Sequence, residues 1–314
     1  MLNVEGKKIG AVSYEGKKIS KIYSEGKLVF NSYKEPIYDG NYMDLIIHID
    51  QTSGDYNLIN LRNVIDLSSN DDEVKVKVDW GDGLLDVPTE YTLKRNNNEP
   101  IQNRYNIGKH RIRIMCDDGI HWVGGNEWYN YNLQNCLIEI QIPQGKSPIK
   151  EVGDEGNSDG GLFYNFSYLE YVSDEFFARL TNLKHLTFSF YNCDSLRRIP
   201  DIKGLTLLED VGHCFNGCGS ILEIPTDLFK NCINLKYAGS CFNRCFSLES
   251  IPEDIFKYNN QLTDVSYCFC FDGQVSGKLP ELWKTHPSII YYEACFRYCS
   301  GASNYAEAQN NGWT

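Results

Sequence analysis

Residues 214–225 read CFNGCGSILEIP, placing Cys214 and Cys218 four apart with His213 beside them. Thiols and an imidazole at such spacing are the raw material of a metal site or a redox pair. Zinc would need four donors converging tetrahedrally. The chain instead repeats the Cys-x-x-x-Cys phrase at regular intervals, with a single neighbouring histidine. Of twelve cysteines none precedes Cys116, and most keep a fixed phase. Cys214, Cys241, Cys268 and Cys295 form one series, and Cys193, Cys218, Cys245 and Cys299 another. A secreted disulfide scaffold would spread them differently. Cysteine packs as a small buried hydrophobe, so the two series predict ladders of free thiols in a core. Disulfides between neighbouring repeats are the alternative if the protein meets an oxidising environment.

Other candidates for chemistry are sparse. The six histidines, His48, His110, His121, His185, His213 and His286, share no spacing. No nucleophile elbow, P-loop or His-Glu-x-x-His phrase is present. Asp71-Asp72 and Asp117-Asp118 lie beside turn residues and read as solvated loops. Asp79 and Asp82 could be offered to calcium, but two carboxylates without a further ligand set are turn formers. The expectation is a non-enzymatic protein with no catalytic residue, no metal and no cofactor. Contact residues are easier to nominate. Trp122, Trp128, Tyr129 and Tyr131 sit in a polar frame at 121–132, and Tyr291 and Tyr292 in "SIIYYEACFRY". Aromatic and amide side chains together suit saccharide or protein recognition. For the first cluster, packing at a domain junction is the competing explanation.

The elements that must position these residues follow from a long period. Phe163, Phe190, Phe215, Phe242, Phe269 and Phe296 are separated by 27, 25, 27, 27 and 27 residues. Around them recur "FYNCDSLRRIP", "FNGCGSILEIP" and "FNRCFSLESIP", preceded by "LKHLT", "LEDVG", "LKYAG" and "LTDVS". Such self-similarity signals a solenoid, because each unit can bury its apolar side only against its neighbours. Ser195–Pro200 and Ser247–Pro252 read as short strands ended by proline, Phe-x-x-Cys as one helical turn, and Asp227-Leu-Phe-Lys and Asp254-Ile-Phe-Lys as N-capped short helices. The terminal copy loses its Ile-Pro and reads as a cap. The pattern resembles the BspA-type leucine-rich repeats of bacterial surface and phage proteins, with their motif F-x-x-C-x-S-L-x-x-I-P. The resemblance covers roughly half the chain and implies a right-handed solenoid used for display or adhesion, over 130–314, with the six phenylalanines as its core.

Upstream, residues 40–125 alternate apolar and polar residues at period two, as in "EVKVKVDWGDG", where Val74, Val76, Val78 and Trp80 share a face. Such strands build half of a sandwich. Trp80-Gly-Asp-Gly83, then Tyr105-Asn-Ile-Gly108 and His110–Ile114, resemble the PKD-type immunoglobulin-like module, although His110 and Ile112 stand where that family places an aromatic and a valine. Residues 35–39 read as a linker and 153–161 as a surface loop. At the start, Glu-Gly-Lys recurs at 5, 15 and 25, between apolar residues spaced as in short hairpin strands. Residues 1–34 therefore predict a β-ribbon, either packed on the next domain or serving attachment and oligomerisation. Its Gly-Lys-Lys-Ile and Gly-Lys-Leu-Val phrases are similar to N-terminal segments of phage structural proteins.

The fold class expected is mainly β with short helices: ribbon, sandwich, solenoid. With 42 Asp and Glu against 30 Lys and Arg, net charge is −12, and no basic cluster marks a phosphate-tracking groove. Nucleic acid is not an expected partner. No 18-residue apolar run exists and the N-terminus lacks a secretory apolar core, so neither membrane insertion nor export is expected. The resemblances together imply a virion protein of the fibre or host-recognition type, assembled in the host cytoplasm. Its partners would be other virion proteins, sister chains in a homo-oligomer such as a trimer, and a host cell-surface glycan or protein. A bacterial surface adhesin and a capsid decoration protein without a receptor are the alternatives.

Overall fold

The computed structural model describes the backbone of residues 2–4, 7–9, 12–14, 17–19, 21–24 and 27–31, and residues 40–50, 57–66, 72–81, 88–94, 99–124, 131–143, 146–152 and 161–314. The fold is mainly β. At the N-terminus three antiparallel hairpins follow one another: β1 (Leu2–Val4) with β2 (Lys7–Ile9), β3 (Val12–Tyr14) with β4 (Lys17–Ile19), and β5 (Lys21–Ser24) with β6 (Lys27–Asn31). Their innermost pairs, Val4 with Lys7, Tyr14 with Lys17 and Ser24 with Lys27, flank the Glu-Gly of each repeat. The turn glycines themselves, the 35–39 linker, the Asp82-Gly83 turn and residues 153–160 lie outside the described residues.

The next strands are β7 (Tyr42–Ile49), β8 (Leu58–Asn60), β9 (Ile65–Asp66), β10 (Glu73–Asp79), β11 (Thr89–Lys94), β12 (Gln102–Arg104), β13 (Gly108–Met115) and β14 (Ile120–Trp122). Then come helix α1 (Tyr131–Gln134) and strands β15 (Leu137–Gln141), β16 (Ile149–Val152) and β17 (Tyr171–Val172). One six-stranded sheet runs β11-β10-β13-β7-β15-β17; β12-β8 and β16-β14-β9 form two smaller sheets. Period-two alternation works as expected in β10: Val74, Val76 and Val78 are buried, while Lys75 and Lys77 are exposed. Trp80 anchors the core beside them, its Nε1–H donating to the Tyr91 hydroxyl (3.2 Å), while the Tyr105 hydroxyl donates to the Trp80 carbonyl (3.0 Å). Asp79 is fully engaged: it accepts from Gly81 N–H (2.9 Å) and pairs with Arg111 (3.0 Å).

The sheet does not stop at residue 125. β15 pairs with the second edge of β7, and β17 continues in parallel on β15, so the sheet leads directly into the repeats. The reason is an edge: β7 is buried at all but His48, and its backbone pairs with β13 on one side and β15 on the other, so neither edge is left open. Trp122 closes the same junction from inside. It is fully buried, with its ring centroid 5.5 Å from Phe163 and 5.7 Å from Phe176, and its Nε1–H donates to the Leu162 carbonyl (3.1 Å).

From residue 162 the chain winds as stacked coils. Residues Phe163, Phe190, Phe215, Phe242, Phe269 and Phe296 are all fully buried, and successive ring centroids lie 5.1, 5.2, 5.5, 5.5 and 5.7 Å apart. Every second N–H in this stretch reaches the next coil: Val211, His213, Phe215 and Gly217 donate to Tyr237, Gly239, Cys241 and Asn243. The N–H groups between them, of Cys214, Asn216 and Cys218, close turns onto Val211, His213 and Phe215. The Gly212 N–H donates to the Asp210 carboxylate (2.7 Å), so every backbone donor from 211 to 218 is used. Turning the chain this way requires a left-handed residue at two fixed places per coil. One row is Phe188, His213, Ser240, Tyr267 and Ala294; the other is Asn165, Asn192, Gly217, Arg244, Phe271 and Tyr298. Left-handed backbone costs a non-glycine residue roughly 1–2 kcal/mol, which the coil-to-coil hydrogen bonds offset.

Three local expectations change. The residues that bridge coil to coil as β are His185, Asp210, Tyr237, Asp264 and Tyr291, in the "LEDVG" phrases and not in Ser195–Pro200 or Ser247–Pro252. Phe-x-x-Cys is a run of turns through a left-handed residue and not a helical turn. Asp227–Lys230 and Asp254–Lys257 are likewise single turns, each held by a Lys N–H to Asp carbonyl bond. The first unit winds further, into a 3-10 helix at Asp174–Phe177, and the last into α2 (Leu282–Thr285). The stack ends in α3 (Tyr305–Asn310), beyond which the Trp313 carbonyl accepts the Phe296 N–H (3.0 Å) that another coil would otherwise take.

Candidate ligand-binding groove

The opening cysteines are architectural. All twelve thiols are free and buried. Burial pushes Cys136 and Cys232 up to about 12 and drives Cys214, Cys218, Cys241 and Cys245 well above the usual thiol range, so none is a thiolate at neutral pH. The thiols of Cys193, Cys218, Cys245 and Cys299 donate to the carbonyls of Phe163, Phe190, Phe215 and Phe269, one coil back, at 3.0, 3.1, 3.3 and 3.1 Å. Among the described residues, no three His, Cys, Asp or Glu side chains gather as metal ligands would, and no helix is long and apolar enough to cross a membrane.

The other half of that phrase, its two glycines, shapes the surface. On the left-handed row, Gly217 follows Asn165 and Asn192 and precedes Arg244. Two residues further along each coil runs a second row: Ser167, Asp194, Gly219, Phe246. The coil at 214–219 therefore has no side chain at either rung. A groove of about 480 Å³ opens there, lined by Asn165, Ser167, Asn192, Asp194, Gly217, Arg244 and Phe246. The walls lean inwards: a Cβ at Gly217 would stand 2.5 Å from Asn192 Oδ1, and one at Gly219 would stand 2.4 Å from Asp194 Oδ1. Asn192 Nδ2 donates to Asn165 Oδ1 (2.9 Å), which fixes the amide pair.

Phe246 forms the far wall and is 55% exposed, unusual for a ring of that size. On its other side lies a second groove of about 560 Å³, lined by Leu222, Phe246, Ser247, Glu249, Gln274 and Ser276. The guanidinium of Arg244 sits over the Phe271 ring, 5.7 Å from its centroid, and Phe271 in turn stacks on Tyr298 at 4.7 Å. Phe246 thus stands as a ridge between two grooves with hydrogen-bonding side chains on both flanks, suited to a ligand that offers hydroxyl or amide groups and a face to stack.

The contact residues expected from sequence fare differently. Trp122 is withdrawn from any ligand, because it is core. Trp128, Tyr129 and the Tyr131 side chain lie outside the described residues. Tyr291 is 59% exposed on the bridging row, and Tyr292 is half covered by Trp313, whose ring stacks on it at 4.8 Å. Gly217, Gly219, Arg244 and Phe246 were missed. Their signal was present as two glycines and an exposed phenylalanine departing from the repeat. Comparison with protein-family models, with curated proteins and with solved structures finds no match.

Proposed function

We propose that this is a non-enzymatic binding protein of a phage virion, in which a leucine-rich-repeat solenoid of the BspA kind presents the Phe246 ridge to a host cell-surface glycan. The immunoglobulin-like sandwich would act as its spacer, and the N-terminal ribbon at 1–34 would provide attachment to the particle or to sister chains. The carrying observation is the paired absence of side chains at Gly217 and Gly219. It opens a groove lined by two amides, a hydroxyl, a carboxylate and a guanidinium against an exposed ring. The reactive side chains nearby point elsewhere: Cys214 and Cys218 are sealed in the core, and His213 lies flat on Phe188 at 4.5 Å. Saccharide contacts of this kind are weak singly and become effective when many copies act together on one particle.

Two measurements test this proposal. Mass spectrometry of purified virions should find the chain. The full-length protein should bind an array of bacterial surface polysaccharides, with Phe246→Ala losing at least tenfold in apparent affinity. A chain absent from virions removes the virion role, and binding unaffected by Phe246→Ala removes the groove.

A further inference from the structure

The ladder Cys193, Cys218, Cys245, Cys299 skips one rung. Counting by 27 from Cys245, the missing position is Asp272, which is fully buried. Each cysteine of the ladder donates to the carbonyl of the preceding coil's phenylalanine, so the acceptor in line for residue 272 is the Phe242 carbonyl, which already takes the Cys245 N–H at 3.3 Å just as those of Phe163, Phe190 and Phe215 take a turn N–H beside their thiol. A second row inside the stack obeys the same rule with other donors: Asn259 Nδ2 donates to Phe229 (3.0 Å), and His286 Nε2–H to Phe256 (2.8 Å). Every side chain in this role brings a hydrogen to the carbonyl.

An ionised aspartate has none. Its Oδ1 is occupied, accepting the Cys245 N–H at 2.9 Å, while Oδ2 is buried without a donor. A carboxylate there would place an unpaired anionic oxygen in a dry core, where charge is costly. Among the described residues, the titratable groups facing it are the thiols of Cys245, Cys268, Cys270 and Cys299, and no cation offsets the charge. Burial drives the carboxyl well above the usual carboxylate range.

We propose that Asp272 is held as an uncharged carboxylic acid whose O–H donates to the Phe242 carbonyl, making this coil a pH-sensitive element beneath the groove. The link to the groove is the Cys245 N–H bond, since Cys245 lies between Arg244 and Phe246 in the chain. That last step rests on the proposed function, whereas the protonation state does not.

The sign is fixed by linkage. The folded carboxyl titrates above its unfolded value of about 3.9, so the rung stabilises fully below that pH. As pH rises towards the folded value, its share of the unfolding constant worsens by about tenfold per unit. Asp272→Asn can keep both hydrogen bonds, its side-chain oxygen accepting the Cys245 N–H and its Nδ2 donating to the Phe242 carbonyl as Asn259 Nδ2 donates to Phe229, and it cannot ionise. In denaturant titrations from pH 4 to 8, the variant should match wild type at pH 4 and become increasingly more stable as pH rises. A gap that closes with rising pH, or a variant less stable throughout, overturns the proposal. Should Asp272→Asn fail to fold, Asp272→Cys restores the thiol ladder and should give the same trend. Infrared difference spectra at pH 7 should show a protonated carboxyl C=O band in wild type that Asp272→Cys lacks; no such band also overturns it. Polysaccharide binding that weakens with rising pH in wild type but not in Asp272→Asn would carry the effect to the groove. Unchanged binding with the stability trend intact removes only the groove coupling.

Discussion

The side-chain oxygen of Asn192 lies 2.5 Å from the point where a Cβ on Gly217 would stand, and Gly217 is left-handed at φ +78°. The obstruction is the end of a flexible side chain, and the same row holds Asn165 and Asn192 in the same backbone region at φ +61° and +56°. Gly217→Asn is therefore expected to fold, with stability within about 1 kcal/mol of wild type. Its amide would fill the groove. Calorimetry should show little change, while polysaccharide binding falls at least tenfold; retained binding would place the contact surface elsewhere.

Phe242 and Phe246 are four residues apart and have opposite duties. Phe242 is fully buried between Phe215 and Phe269, each 5.5 Å away, whereas Phe246 is 55% exposed. Truncating Phe242 to Ala leaves a cavity in the middle of the stack and is expected to cost about 3–5 kcal/mol. Phe246→Ala is expected to stay within about 0.5 kcal/mol of wild type, as surface substitutions do. Denaturant unfolding of both variants measures the contrast. Similar losses would mean that the ridge is part of the core.

His213 supplies an acid limb. Half-buried against Phe188, and accepting at Nδ1 from Asn216 Nδ2 (3.1 Å), its imidazole is shifted below its ordinary 6.5 by desolvation, against the pull of Asp210 and Asp264. The unfolded chain then binds a proton at a pH where the folded one does not. Stability from this group is complete above about 6.5, declines as pH falls through the window down to the lowered value, and is flat below it. Asp210, raised by burial, works in the opposite sense as pH rises. His213→Ser, matching Ser240 on the same left-handed row at φ +55°, should flatten the decline between pH 6.5 and 5 in thermal melts. An unchanged acid limb would assign it to other groups.

The long period was legible because burial leaves a direct mark: one phenylalanine per coil, and in most coils one or two thiols, recur in phase whatever the backbone does between them. The backbone itself was not legible. A left-handed residue at every coil was hidden because Phe188, Arg244, Tyr267 and Phe271 are residues that rarely adopt it, held there by bonds to the next coil that no local pattern reports. Trp122 was taken for a contact residue and Phe246 passed over for the same reason. Aromatic residues in polar surroundings look alike in sequence, and only the stacking decides that Trp122 plugs the first coil while Phe246 stands clear. Asp272 was overlooked because "CFCFDG" appears to lose the cysteine phrase, although it keeps the position and changes the donor.

The account turns on sealed thiols stacked between coils. Alkylation of the native protein followed by intact mass spectrometry tests it most directly. The expected result is no rapid labelling of any of the twelve cysteines under native conditions and labelling of all twelve after denaturation without reductant. Prompt native labelling of Cys214 or Cys218, or a mass deficit showing disulfides or a co-purifying metal, would contradict it.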